Sequence, residues 1–504
     1  MSIDTFAPGL LSSRTTGRMF VSLRSQLEDL QRQLATGKKA DSYGALGFDR
    51  RISLDFRGRL AAIESYQDNV QTGTLRLSLM NLSLENINKL AGDARAYTLP
   101  GGFTPGTDGL TIAQRQAREG LKQMIDLLNT DVAGHYLFSG RATDTKPVED
   151  FDLIINGDTS RAGLTQLIDE RTQADLGANG LGRLDLTSAA NNVQLTEQVA
   201  GLPFGFKIAG ASADGGNIAA VYTAGPPANA SFTVATQPAD GDKVRVALTL
   251  PDGTQQTIEL VARTTINPAL AENAFAIGAN PNATAANLAA AVQTAVGEAA
   301  ATTLAAASAQ VAAGDFFAGS LSSPPLRVNG PPFDTATTTI AGTAANTVIW
   351  YKGDDTAPVP RNTSLVKVDT SQTVGIGAQA NEDAFQTMFA QFGILAAQTF
   401  NAADPNAHDR YEANASRIRT ALSFSGNTQS VENIATELAL ANTSINAANG
   451  RLKTTAALLN DSIDSVENAS NEEVAAAILA LQTRLQASYQ TTSIISSLSL
   501  ARFI

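Results

Sequence analysis

The chain is 504 residues long, with a formal net charge of −12, 17% charged residues, 6% aromatic residues, one Trp and no Cys. That length accommodates roughly three domains of ordinary size. The acidic balance argues against a nucleic-acid surface of clustered Lys and Arg, and the lack of Cys excludes disulfides, thiolate metal sites and Cys nucleophiles.

Helical patterning comes first, over about 14–34, where Leu23, Leu27, Leu30 and Leu34 recur at steps of three and four and Thr36-Gly37 spells a C-cap. Residues 38–48, with Gly44 and Gly47, read as an irregular connection. A second helix runs from near Asp49 to about Tyr97, with Ile63, Val70, Leu77, Met80 and Leu84 on one face. A Gly/Pro cluster over 100–106 ends it. A third helix over 111–129 is expected to turn Ile112, Leu121, Ile125 and Leu128 inward.

The period then changes. Residues 136–140 and 151–156 read as the first strands of a β-containing region. Residues 243–250 alternate Val244, Val246, Leu248 and Leu250 up to Pro251-Asp252-Gly253, and 257–261 return, which predicts a hairpin. Residues 282–296 are Ala-rich and helical. Strand-like sequence reappears at 347–351 and 365–368, so the block between belongs to an insertion that splits one β-rich domain.

From about 381 the helical pattern resumes, broken near Pro405 and at Ser425-Gly426-Asn427. Over 431–504 a single apolar stripe is expected, carried by Ile434, Leu438, Ile445 and Leu452, then Ile478, Leu481 and Leu485, and on to Leu498 and Leu500. Such a seam needs another helix against it, and the N-terminal stripe has the matching spacing. That N-terminal stripe is open to intrachain pairing and to subunit contact alike, whereas the apolar end, Ile494 to Ile504, points to subunit contact.

The expected fold is mainly α with an α+β outer part: a long helical bundle or coiled coil from both termini, with a β-rich domain and a mixed α/β insertion in the middle. The expected segments are 1–135 (N-terminal helices), 136–200 and 321–380 (the split β-rich domain), 201–320 (the insertion) and 381–504 (C-terminal helices).

No chemistry competes with that reading. His135 and His408 stand alone, without a metal set around them. Asp354-Asp355, Asp461 and Asp464 lack the spacing of a calcium loop, and Gly37-Lys38-Lys39 lacks the rest of a phosphate loop. No catalytic, cofactor or metal residue is assigned, and an enzyme is not expected. A hydrolase inside 201–319 would have to work without His, Cys or Trp; a glycan-binding role for that block is harder to dismiss. No stretch approaches the ~18 apolar residues of a membrane span, and Met1 to Leu11 lacks the regions of a cleaved signal peptide.

Residues 30–39, LQRQLATGKK, resemble the early helix-and-turn segment of bacterial flagellins and flagellar hook-associated proteins. Residues 481–490, LQTRLQASYQ, and 497–500 resemble that family's final helix. Residues 136–140 with 143–145, and 350–355, are similar to segments of its hook–filament junction subgroup, the third hook-associated protein. The resemblance covers the two ends and not the centre. It departs at Ser42-Tyr43-Gly44-Ala45, where many relatives carry an acidic pair and Pro.

The resemblance implies a structural flagellar subunit, exported unfolded without a cleaved signal and secreted to the extracellular flagellum. It implies polymerisation through terminal helices that order on assembly, in a head-to-tail contact that does not close on itself. The implied partners are copies of itself, the neighbouring hook-associated protein and flagellin, and an export chaperone. The junction adapter is the leading expectation, and flagellin forming the filament is the alternative.

Overall fold

The computed structural model describes residues 8–266, 273–426 and 428–500. The chain divides into two compact units. The first comprises 8–72, 367–374 and 443–500; the second comprises 73–366 and 375–442.

In the first unit, α1 (Pro8–Thr36) is followed by a 3-10 turn at Tyr43–Leu46 and by the start of α2 (Asp49–Tyr97). Gly37 ends α1 in the left-handed region at φ +65°, its N–H bonded to Gln33 O at 2.8 Å. This is the stop the sequence spelled, because a side chain is strained at that φ.

The expected single stripe over 431–504 is two helices, α10 (Val431–Glu467) and α11 (Asn471–Leu500). Between them Asn468 forms an antiparallel bridge with Lys38. Lys39 N donates to Glu467 O at 2.8 Å, and Ala469 N donates to Gly37 O at 2.9 Å. Ser470 then opens α11, its Oγ accepting from Glu473 N at 3.4 Å. The break occurs because these backbone groups pair with the other chain end instead of continuing the helix. Beyond it, α11 packs on α1, with the rings of Phe20 and Tyr489 stacked at 5.0 Å.

The second unit holds the mixed part. α3 (Ile112–Leu128) begins on a capping box, Thr111 Oγ1 accepting from Gln114 N and Gln114 Oε1 accepting from Thr111 N. Leu121, Ile125 and Leu128 are buried as expected, but Ile112 is 56% exposed. As the first residue of the helix it precedes the buried stripe that starts at Ala113.

A two-residue pair of strands follows, β1 (Asp131–Val132) and β2 (His135–Tyr136). Residues 151–156, expected as a strand, are a short helix, α4 (Phe151–Asn156), which Gly157 closes at φ +71°. A run this short does not distinguish periods of 2 and 3.6. α5 (Leu164–Leu176) leads into the insertion.

There, β3 (Leu184–Ala189), β4 (Asn192–Glu197), β5 (Lys207–Ala213), β6 (Ile218–Thr223), β7 (Asn229–Val234), β8 (Lys243–Thr249), β9 (Gln255–Arg263) and β10 (Ala274–Ala276) form two four-stranded sheets. Their orders are β3-β4-β7-β6 and β10-β9-β8-β5. The predicted hairpin is β8–β9, paired antiparallel from Lys243 opposite Val261 to Thr249 opposite Gln255. Strict alternation buries Val244, Val246, Leu248, Ile258 and Leu260 in a core shared by both sheets and α6 (Pro281–Ala299).

A π-helical turn, Ala300–Leu304, joins α6 to α7 (Ala305–Ala318), which packs between α5 and α8 (Asp383–Ala397). β11 (Leu326–Val328) pairs with β12 (Thr339–Ala341), and β13 (Leu365–Lys367) with β14 (Thr373–Gly375). The strand expected at 347–351 exists only as isolated bridges, Thr347 to Ala162 and Tyr351 to Val148. α9 (Ala407–Ala421) completes the unit. Its aromatic core centres on Trp350, whose Nε1 donates to Phe317 O at 3.0 Å and whose ring lies 4.7 Å from that of Phe389.

Candidate assembly surface

The residues singled out in the sequence fall into three groups. Ile434 and Leu438 in the second unit, and Ile445 and Leu452 in the first, are buried in α10. Leu23 and Leu481 are buried in α1 and α11; Leu27, Leu30, Ile478 and Leu485 are half-buried, and Leu34 is 42% exposed. The side chains of Leu498 and Leu500 lie outside the described residues. Helices α1 and α11 pair within one chain and cover the stripe only in part, Leu23 and Leu481 being buried and the others less so.

That pairing leaves much apolar surface outside. Two helices bury only their common seam, and the first unit still exposes Met19, Leu458, Val21 (71%) and Leu479 (65%). The connection into α2 adds Tyr43 and the fully exposed Phe48, and the first turns of α2 add Ile52 and Leu54. Stripe counting missed these residues because they sit off the seam or in the loop. Gly47 takes φ +62° at the end of the 3-10 turn, directly before Phe48.

A polar clasp fixes this end of the unit. Glu467, the last residue of α10, accepts from Arg57 Nε at 2.9 Å and Nη2 at 2.7 Å, and from the buried Ser53 hydroxyl at 2.5 Å. These donors, Arg57 first, hold the Glu467 carboxyl down to about 2. Lys39 Nζ reaches Ser465 O at 2.5 Å. Four chain segments, the end of α1, the start of α2, the end of α10 and the start of α11, converge on one point.

The second unit has its own tie. Arg361 pairs with Glu382 and, at 2.8 Å, with Glu437 of α10. Burial raises the Glu382 carboxyl above its usual range, against the lowering effect of Arg361. Residues 136–140 and 350–355 also meet in this unit, Asp354 N donating to Ser139 O at 2.9 Å; Ala380 N donates to Phe138 O at 2.8 Å beside them.

His135 and His408 each face a single carboxylate, Asp144 at 2.9 Å and Asp409 at 2.7 Å. Among the described residues no group of three or more His, Cys, Asp or Glu could hold a metal ion, and no helix is long and apolar enough to cross a membrane.

Residues 10–143 match the model of the bacterial flagellin N-terminal helical region. This match takes in α2, α3 and all but the first two residues of α1, and leaves the rest of the chain outside it. No curated protein matches the chain.

Proposed function

We propose that this chain is a flagellar axial subunit that polymerises through its terminal helices, and that it serves as the adapter between hook and filament. The observation that carries the assembly reading is the apolar surface that remains exposed on the first unit after α1 and α11 have paired. Exposed apolar surface of this kind marks interaction sites. A subunit that offers it on helices and loop alike is suited to contacts with several neighbours. Copies of the same chain, a hook-associated protein and flagellin are the intended partners, with an export chaperone covering part of this surface before assembly. The flagellin family is exported to the extracellular flagellum, and the same route is assigned to this chain. Its role is mechanical rather than enzymatic.

What favours the junction role is that the segments 136–140 and 350–355, which resemble segments of that subgroup, are hydrogen-bonded to each other. The second reading, flagellin itself, is favoured by the family match, which is to the flagellin helical region. Deleting the gene separates the two. Hooks without filaments, with flagellin shed into the medium, indicate the junction adapter. Loss of the filament with no other flagellin released indicates the filament protein, and unchanged flagella would overturn both.

A further inference from the structure

The turn of the β8–β9 hairpin faces α9 across a cleft of about 560 Å3, inside the second unit. The charged groups in this cleft are already satisfied. Arg417 directs Nε to Asp252 Oδ2 at 2.7 Å, Nη1 to Ala413 O at 3.2 Å and Nη2 to Thr254 Oγ1 at 3.1 Å. Asp252 Oδ1 accepts from Thr254 N at 3.0 Å and from Thr254 Oγ1 at 2.6 Å. Both charged side chains are largely buried, at 16% and 12% exposure, so their pairing is retained from solvent.

Beside Leu250 and Ala421, the remaining wall carries amides and hydroxyls: Gln255, Gln256, Gln310, Thr303, Ser416 and Thr420, the last already donating to Ser416 O at 3.0 Å. Side chains of these types both donate and accept hydrogen bonds and carry no charge. Part of the wall is held in place. Gln310 and the buried Gln391 exchange amide bonds at 3.0 Å in both directions, and Thr303 bonds Ala299 O at 3.0 Å and Gln256 Oε1. The volume lies within the range of small-ligand sites, about 300–1,000 Å3.

We propose that this cleft binds a neutral saccharide. An ionised ligand would find no free counter-charge, because Arg417 and Asp252 neutralise each other. A sugar ring offers hydroxyls that both donate and accept, which complements a wall of Gln, Thr and Ser. This assignment is independent of the assembly reading.

The test uses the full chain with maltopentaose, cellopentaose, chitotetraose and mannopentaose as probes, read by calorimetry and saturation-transfer NMR. At least one probe should bind with a Kd of about 1 mM or tighter. The affinity should hold within about twofold between roughly 50 and 500 mM NaCl, because no unscreened charge is involved. Thr420→Trp and Ser416→Trp place bulk on the exposed cleft face of α9; each should weaken binding at least about tenfold with unchanged thermal melting. Absence of binding for all four probes at roughly ten times that concentration overturns the assignment. So does full binding by both Trp variants, or an affinity that collapses with salt.

Discussion

Arg57 and Glu467 are joined by two parallel hydrogen bonds, at 2.9 and 2.7 Å, across 410 residues of sequence. The pair ties the first turns of α2 to the last residue of α10, at the point where the chain also leaves α1 and enters α11. The Glu467 carboxyl falls from an ordinary 4.5 to about 2. A lowered folded pKa means a contribution that is complete above about 4.5 and is lost as pH falls toward about 2. The α10–α11 junction should therefore loosen in that acid window. Glu467→Gln should remove this dependence and cost about 1 kcal/mol at neutral pH, since the pair is partly exposed. Hydrogen exchange of the 465–470 amides against pH checks it; an identical acid profile in the variant would show that other carboxylates carry the transition.

Helical glycines give a second prediction, in which the surroundings set the sign. A Cβ on Gly120 would come within 2.5 Å of the Phe392 ring, at the contact between α3 and α8. A Cβ on Gly92, in α2, would meet nothing within 4 Å. Replacing Gly by Ala inside a helix gains up to about 1 kcal/mol, whereas overpacking costs about 1–3 kcal/mol. Gly92→Ala should stabilise the protein and Gly120→Ala should destabilise it, as read by denaturant midpoints. The same direction of shift in both would mean that α3 and α8 yield without strain.

Much of the helical layout was legible in the sequence because its signals were local. Thr36-Gly37 marked the end of α1, Pro251-Asp252-Gly253 marked the β8–β9 turn, and the spacing of Leu77, Met80 and Leu84 gave the inner face of α2. The break at 468–470 was harder to read because the apolar stripe runs on through it. It was nonetheless spelled: Ser470-Asn471-Glu472-Glu473 has the S-x-x-E pattern that opens a helix, and Ser470 does cap α11. Phe151 to Asn156 misled because six residues fit either period, and the flanking Asp150 and Gly157, both helix-end residues, were the better guide. Glu467 could not be recognised from sequence, since its partners Ser53 and Arg57 are brought to it only by the fold. Phe48 could be seen but not interpreted, because exposure is a property of what surrounds a residue.

Trp350 offers a direct report on the second unit. It is the only Trp in the chain and is fully buried, packed edge-on to Phe317 with centroids 5.4 Å apart. Intrinsic fluorescence should therefore be blue-shifted in the native protein and should follow this core alone on unfolding. Trp350→Ala should cost about 3–5 kcal/mol. Trp350→Phe should cost less, but it leaves Phe317 O without its indole donor, a loss of about 1–3 kcal/mol. Equal costs for the two variants in urea titrations would mean that the ring packing contributes little and that the loss they share, the indole hydrogen bond, dominates.

Phe48 separates assembly from folding. Its side chain is fully exposed, so Phe48→Ser should leave the melting of the isolated subunit within about 0.5 kcal/mol of the parent. If the residue is covered by a neighbouring copy in the polymer, its loss removes about 1.5–3 kcal/mol of apolar burial per contact. That corresponds to roughly 10- to 100-fold weaker subunit affinity, read as a raised critical concentration in sedimentation of assembled material. Phe48→Leu keeps most of the apolar area and should assemble nearly as the parent does. If Phe48→Ser polymerised at the parent's critical concentration, the loop between α1 and α2 would lie outside the subunit contact. Assembly would then rest on the exposed helix faces carrying Val21 and Leu479.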